Sequence, residues 1–137
     1  MTKLKLPKII LIGANHKTAP VELREKLSFS NEETLNALEL LKQDNDIKES
    51  LIFSTCNRTE ILYIPANGDK IDKIIEFISI QRGIDISEFK NSLYVHEYSD
   101  AIRHLFEVAA SLDSMVVGEP QILGQIKEAY RTAVDYK

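Results

Sequence analysis

Apolar residues fall along this chain in short, punctuated groups, and the punctuation predicts the elements. Ile9-Ile10-Leu11-Ile12 forms a continuous apolar run between Pro7 and Gly13, the pattern of a buried strand. Ser30-Asn31-Glu32-Glu33 has capping-box spacing, and Leu35, Leu38 and Leu41 follow at helical intervals, predicting a helix to about Asp44. Leu51 to Ser54 and Ile61 to Ile64 read as two strands joined by the polar connection Thr55 to Glu60. After the turn residues Pro65 to Asp69, Ile71, Ile74, Ile75 and Ile78 mark a second helix that Gly83 can end. Leu93-Tyr94-Val95-His96 reads as a fourth strand. Ser99 can cap a third helix, with Asp100 complementing its dipole and Ile102, Leu105, Phe106, Ala109 and Leu112 as its apolar stripe. A fourth helix begins near Pro120 and carries Ile122, Ile126, Ala129, Ala133 and Val134.

The leading order is strand, helix, strand, strand, helix, strand. It predicts an α+β fold: a ferredoxin-like β-α-β-β-α-β sandwich of about four antiparallel strands with helices on one face, and the C-terminal helices packed beside it. The last helix meets no Gly, Pro or cap before Lys137, so the natural chain is expected to continue past this segment.

Composition narrows the function classes. The chain has 137 residues, of which 44% are hydrophobic and 28% charged, the balance of one globular domain with a real core. The run Ile9 to Ile12 is too short for a membrane span or a signal-peptide core, which makes the cytoplasm the expected location. A formal net charge of −4 argues against a general electrostatic attraction to nucleic acid. The single cysteine excludes an internal disulfide and a cysteine-cluster metal site.

That cysteine lies in Ser54-Thr55-Cys56-Asn57-Arg58-Thr59-Glu60, a polar stretch between two apolar strands. A cation beside a thiol favours the thiolate, the reactive form. Arg58 can alternatively grip a carboxylate with two parallel hydrogen bonds, and Thr55 and Asn57 can orient a bound group. Composition alone favours a plainer account, an ordinary hairpin loop with an incidental cysteine. His104 is expected off its helix's apolar stripe, at about 100° per residue, on the side of Val108 and Ser111. That position suits a general base, a hydrogen-bond donor or a solvent-exposed bystander, the last being the commonest. Between the last two helices, Ser114, Glu119 and Gln121 crowd polar groups where Gly118 ends one helix and Pro120 begins the next; capping chemistry alone accounts for them. Leu11 to His16 enters a loop as a nucleotide-binding strand does, but with one glycine where a dinucleotide fingerprint has three. His16 and His96 show no partner pattern, and zinc is not supported.

Three stretches together resemble the glutamyl-tRNA reductase family. They are Gly13-Ala14-Asn15-His16-Lys17-Thr18-Ala19-Pro20-Val21; Ser54-Thr55-Cys56-Asn57-Arg58-Thr59-Glu60; and His104 with Leu112-Asp113-Ser114 and Gly118-Glu119-Pro120-Gln121-Ile122-Leu123-Gly124-Gln125. The resemblance covers the family's first domain and implies that NADPH-binding and dimerisation domains lie outside this chain. It implies reduction of glutamyl-tRNA to glutamate-1-semialdehyde at the head of tetrapyrrole (porphyrin) synthesis, with NADPH held by the second domain and a homodimer formed through the third. It gives Cys56 as the nucleophile that forms a thioester, and His104 as a residue of the active site, base or binder. Substrate-binding roles carry over to Thr55, Asn57, Arg58, Ser114, Glu119, Pro120, Gln121 and Gln125, with Arg58 on the glutamate carboxylate. An acidic domain acting on an RNA conjugate then needs a local basic patch, for which Lys3, Lys5, Lys8, Lys17, Arg24 and Lys26 are available. Two other functions fit the same residues less fully: a non-enzymatic amino-acid-binding regulatory module, and a cysteine esterase or acyltransferase that uses no hydride.

Overall fold

The computed structural model describes residues 8–115, with side chains described as far as residue 108. The strands are β1 (Ile10–Asn15), β2 (Ile47–Ser54), β3 (Arg58–Pro65) and β4 (Tyr94–Glu97). The helices are α1 (Val21–Leu27), α2 (Asn31–Gln43), α3 (Ile71–Arg82), the single turn α4 (Ile86–Phe89) and α5 (Ser99–Met115), with a 3₁₀ turn at Lys90–Ser92. The sheet order is β2-β3-β1-β4, and every neighbouring pair is antiparallel. This is the ferredoxin-like arrangement expected from the element order, with α1 and α4 added. Both additions are too short to show a clear helical period in sequence.

Alternation along the strands divides the core in two. Ile10, Ile12 and Ala14 of β1, with Ile52, Ile61 and Tyr63, face α1, α2 and α3. Ile9 and Leu11, with Phe53 and Leu62, face the other way, onto Ala101, Leu105 and Val108 of α5. α5 therefore covers the second face of the sheet and does not lie beside it. Its direction is set by Tyr98, whose left-handed backbone (φ 54°) turns β4 directly into the helix. The Tyr98 N–H still bonds the Ile9 carbonyl (2.8 Å), and its own carbonyl accepts from the Ile102 N–H (3.2 Å). Ser99 is thus the first residue of the helix rather than its cap.

The apolar stripe of α5 is also rotated from the sequence expectation. Its buried positions are 101, 105 and 108, and Phe106 is 52% exposed. In α2 the same kind of shift leaves Leu35 exposed while Ala37 and Leu41 are buried. Leu38 and Leu41, and Ile102 and Leu105, do pack on the core, but both faces are turned toward alanines, small enough to sit against a neighbouring backbone, which leaves Leu35 and Phe106 outside.

The capping box of α2 is complete. Ser30 Oγ accepts from the Glu33 N–H (3.1 Å), and Glu33 Oε1 accepts from the Ser30 N–H (2.9 Å). The second Glu33 oxygen takes a hydrogen bond from Arg82, at the end of α3, whose guanidinium also lies over the Phe29 ring at 5.1 Å. At the other end of α3, Lys73 bridges Asp44 and Asp46 at 2.8 and 2.7 Å. The Arg82 and Ser30 hydrogen bonds hold the Glu33 carboxyl down at about 2, against about 4.5 for the free group. A depressed folded value stabilises the protein above the unfolded value, and the benefit is lost as pH falls through the folded one. Glu33→Gln should therefore lose less stability than the parent between about pH 4.5 and 2. Urea unfolding across that window checks this, and parallel losses in the two proteins would remove Glu33 from the account.

Candidate active site

The connection between β2 and β3 is a three-residue turn, Thr55 to Asn57, shorter than the Thr55-to-Glu60 link expected from the polar run. Arg58, Thr59 and Glu60 belong to β3. They read as loop because they are polar, yet each pairs in register, Arg58 with Asn15, Thr59 with Ala14 and Glu60 with Gly13. The Thr55 N–H closes the turn on the Arg58 carbonyl (2.7 Å), and Thr55 Oγ1 accepts from the Asn57 N–H (3.2 Å). Thr55 and Asn57 thus shape the turn that presents Cys56, whose thiol is exposed and free. The base of the turn is anchored from below. Ser54 Oγ bonds Thr59 Oγ1 (3.0 Å) and accepts from the Phe29 N–H (2.9 Å) at the α1–α2 junction.

Arg58 and Glu60 alternate with Thr59 and so share the α5 side of the sheet. Glu60 is 3% exposed, an expensive place for a carboxylate unless its oxygens are satisfied. Oε2 is: Tyr94 Oη donates to it at 2.5 Å and His104 Nε2 bonds it as well, while the Arg58 charge lies 3.8 Å from Oε1. Reaching Tyr94 from β3 requires the Glu60 side chain to cross β1, and it crosses at Gly13. That residue pairs with Glu60 on one side and Tyr94 on the other. A Cβ at Gly13 would lie 2.7 Å from Glu60 Cγ and 2.7 Å from the Thr59 carbonyl oxygen. The glycine keeps open the space through which the carboxylate passes.

His104 is drawn into this cluster. It shares the sheet-facing side of α5 with Ala101, Leu105 and Val108, and its side chain is 15% exposed. The expectation that it stands off the apolar face is corrected: the face is rotated toward Ala101 and Val108, leaving Phe106 outside it. His96 also has a partner, contrary to the sequence reading. Its ring stacks on that of His104, with centroids 4.7 Å apart and planes 29° apart. Burial, and then the Glu60 charge, push the Tyr94 phenol well up, so it stays protonated and keeps its donor role. Burial, and then His104, push the His96 imidazole down, toward its neutral form. His16 lies apart from these residues, exposed in the turn after β1.

The structure thus brings Arg58 and His104 together through Glu60 and sets Cys56 two residues from Arg58 at the strand's end. The sequence reading assigned no part to Glu60, Tyr94 or His96. A charged residue opening an otherwise apolar strand, a glycine inside a strand, and an alternating Tyr-x-His on an edge strand were the available signals. Glu119, Pro120, Gln121 and Gln125, and the helix expected from Pro120, lie outside the described residues, as does the side chain of Ser114. Of the expected basic patch, Lys3 and Lys5 lie outside them too, and Lys8 is paired with Glu97 at 3.7 Å.

Among the described residues no cluster of His, Cys, Asp and Glu side chains can hold a metal ion, and no helix is long and apolar enough to cross a membrane. The residues after β1 do not fit a dinucleotide. A dinucleotide site needs a glycine-rich turn between a strand and a helix of a parallel βαβ unit. Here the sheet is antiparallel, and Asn15 and Thr18 close a tight turn on each other before α1.

The family pattern described as "Glutamyl-tRNAGlu reductase, N-terminal domain" matches residues 12–137. A glutamyl-tRNA reductase of Pelotomaculum thermopropionicum is 52% identical over 130 residues, covering 94% of this chain and 29% of that protein. One from Thermodesulfovibrio yellowstonii is 49% identical over 134 residues, covering 92% and 31%. Among solved structures, glutamyl-tRNA reductase from Methanopyrus kandleri superposes with a TM-score of 0.56 at 32% identity, covering 93% of this chain and 28% of that one. The chain spans less than a third of the length of these relatives.

Proposed function

The chain belongs to the glutamyl-tRNA reductase family, as its N-terminal domain, and on that premise we propose that it captures the glutamyl group of glutamyl-tRNA on Cys56. The Cys56 thiolate attacks the carbonyl carbon of the ester joining glutamate to the terminal ribose. A C–S bond forms, the C–O bond breaks, and the ribose oxygen leaves and takes up a proton. The products are a glutamyl thioester on the protein and uncharged tRNA, a covalent route into an otherwise difficult acyl reduction. A bound NADPH, held by a domain outside this chain as the family resemblance implies, would supply the hydride for release of glutamate-1-semialdehyde. The residues after β1 do not fit that cofactor, and the part proposed for the described residues is the capture. Thr55 and Asn57 shape the turn, and the family resemblance adds substrate-binding roles for Ser114, Glu119, Pro120, Gln121 and Gln125.

The observation that carries this reading is the exposed thiol at the tip of a closed turn, two residues before an arginine that shares a buried carboxylate with a histidine. The test mixes the chain with radiolabelled glutamyl-tRNA and quenches in acid. Label held covalently by protein, or glutamate released faster than in buffer, is expected, and Cys56→Ala should remove both. Neither signal from folded protein would defeat acyl capture by this domain.

Arg58 is 3.8 Å from Glu60, held in place by charge but beyond hydrogen-bond distance, so its planar fork is free to take a second carboxylate. Arg58→Lys keeps the charge and loses the two-pronged geometry. Capture of glutamate should weaken relative to capture from the same tRNA mischarged with glutamine, by about 10- to 100-fold. Unchanged selectivity would place carboxylate recognition elsewhere.

His104 serves the acyl step as base or binder, and its buried setting changes what a substitution does. His104→Ala takes a partner from the buried Glu60 oxygen, so a loss of stability accompanies slower acylation.

A further inference from the structure

Two strands and a helix converge above Gly13. On β4, Tyr94 and His96 are two residues apart and so point to the same side, toward α5. Tyr94 sits in register with Gly13 and His96 with Leu11. His104 descends from α5 into mutual contact with both rings. Its centroid is 5.2 Å from Tyr94 and 4.7 Å from His96, and Tyr94 and His96 are 5.3 Å apart. Tyr94 and His104 also end on the same carboxylate oxygen, Oε2 of Glu60. A hydrophobic core needs none of this polarity. The arrangement is the one that fixes an imidazole: a carboxylate on one ring nitrogen, and aromatic neighbours that stop the ring from turning.

We propose that Tyr94 and His96 are positioning residues for His104, holding its Nε2–H on Glu60 so that Nδ1 is the nitrogen left to exchange a proton during acyl transfer. The use in acyl transfer rests on the function proposed above; the ring geometry does not. A ring that is to take up a proton needs a neighbour that does not charge at the same moment. His96 meets that requirement, because burial and then His104 lower its proton affinity, while Glu60 and the α5 carboxylates Asp100 and Glu107 act weakly the other way. Tyr94 stays a donor for the opposite reason, since burial and the carboxylate keep its proton on.

The experiment is a long-range ¹H–¹⁵N spectrum of the histidine rings in the ¹⁵N-labelled chain. The chain has three histidines, assigned by single substitution. Neutral His104 is expected as the Nε2–H tautomer. Tyr94→Phe keeps the ring but removes one donor from Glu60. The carboxylate then bonds the His104 Nε2–H more strongly, and that proton's resonance should move downfield. His96→Ala should mix the two tautomers and slow Cys56-dependent capture by about tenfold, whereas His96→Phe, which restores the stacked ring, should recover both. A backbone amide spectrum shows that each variant is folded. An Nδ1–H or mixed tautomer in the parent overturns the proposal, as does a His104 tautomer and Nε2–H resonance that neither Tyr94→Phe nor His96→Ala changes. If the parent shows the Nε2–H form with these responses yet captures no glutamate, the positioning stands and the acyl-capture reading falls.

Discussion

Cys56→Ser should reduce glutamyl capture by on the order of a thousandfold while leaving the fold intact. The substitution changes one atom at the exposed tip of a turn. Its closing hydrogen bonds run through the Thr55 and Asn57 N–H groups and the Arg58 carbonyl, not through the side chain at position 56. Stability should therefore move by less than about 0.5 kcal/mol, the range for surface changes that break no named interaction. Reactivity is another matter. A thiol supplies some thiolate at neutral pH by itself, and an alcohol supplies essentially no alkoxide without a base bonded directly to it. Among the described residues no side chain is hydrogen-bonded to the thiol, so a serine at position 56 has no base bonded directly to it. Acid-quenched labelling with glutamyl-tRNA and a thermal melt on the same preparation measure both quantities. Undiminished labelling in the serine variant would mean that the glutamyl group is held by another residue.

The two parts of this site were not equally visible in the sequence. Cys56 and Arg58 could be named at once, because a lone thiol and a cation in a polar stretch between two apolar strands stand out by type and place. The capping box at Ser30 and the stop at Gly83 were equally plain. Each is a local interaction between near neighbours, and the structure has both, with Gly83 at φ 64°. The carboxylate that unites the site was harder to see. Glu60 is four residues from Cys56, 34 from Tyr94 and 44 from His104, and only the sheet order brings them together. His104 was rightly placed beside Val108, but that side of α5 was taken to lie off the core, for a related reason. Large apolar residues marked the stripe, and Leu105 and Ile102 do pack against the sheet, but the contact also runs through Ala101 and Val108, with a histidine between them that belongs to the interior because Glu60 is there to receive it. Local patterning carries caps, turns and strand alternation. It does not carry a polar contact whose partners come from two strands and a helix.

Gly13→Ala should be the most damaging single-methyl change available in this sheet, to both stability and chemistry. An added Cβ would lie 2.7 Å from Glu60 Cγ, 2.7 Å from the Thr59 carbonyl oxygen and 3.1 Å from Glu60 Cα. Two of those three atoms are β3 backbone and cannot rotate away, so either β1 and β3 part locally or the Glu60 side chain leaves its path. The first outcome strains a central pairing of the sheet. The second takes the carboxylate from Tyr94, His104 and Arg58 together. Overpacking of this kind costs about 1–3 kcal/mol, corresponding to a melting temperature lower by roughly 5–15 °C in a domain of this size. Gly83→Ala provides the contrast. Its Cβ would meet nothing within 4 Å, and its difficulty is the left-handed backbone, so it should cost about 1 kcal/mol and leave the site unaltered. At a temperature where both variants are folded, Gly83→Ala should capture glutamate at the parent rate and Gly13→Ala should not. His104 in Gly13→Ala should lose its single tautomer. Equal capture by the two variants would show that the sheet absorbs the methyl group and that Glu60 reaches Tyr94 and His104 without the gap at Gly13.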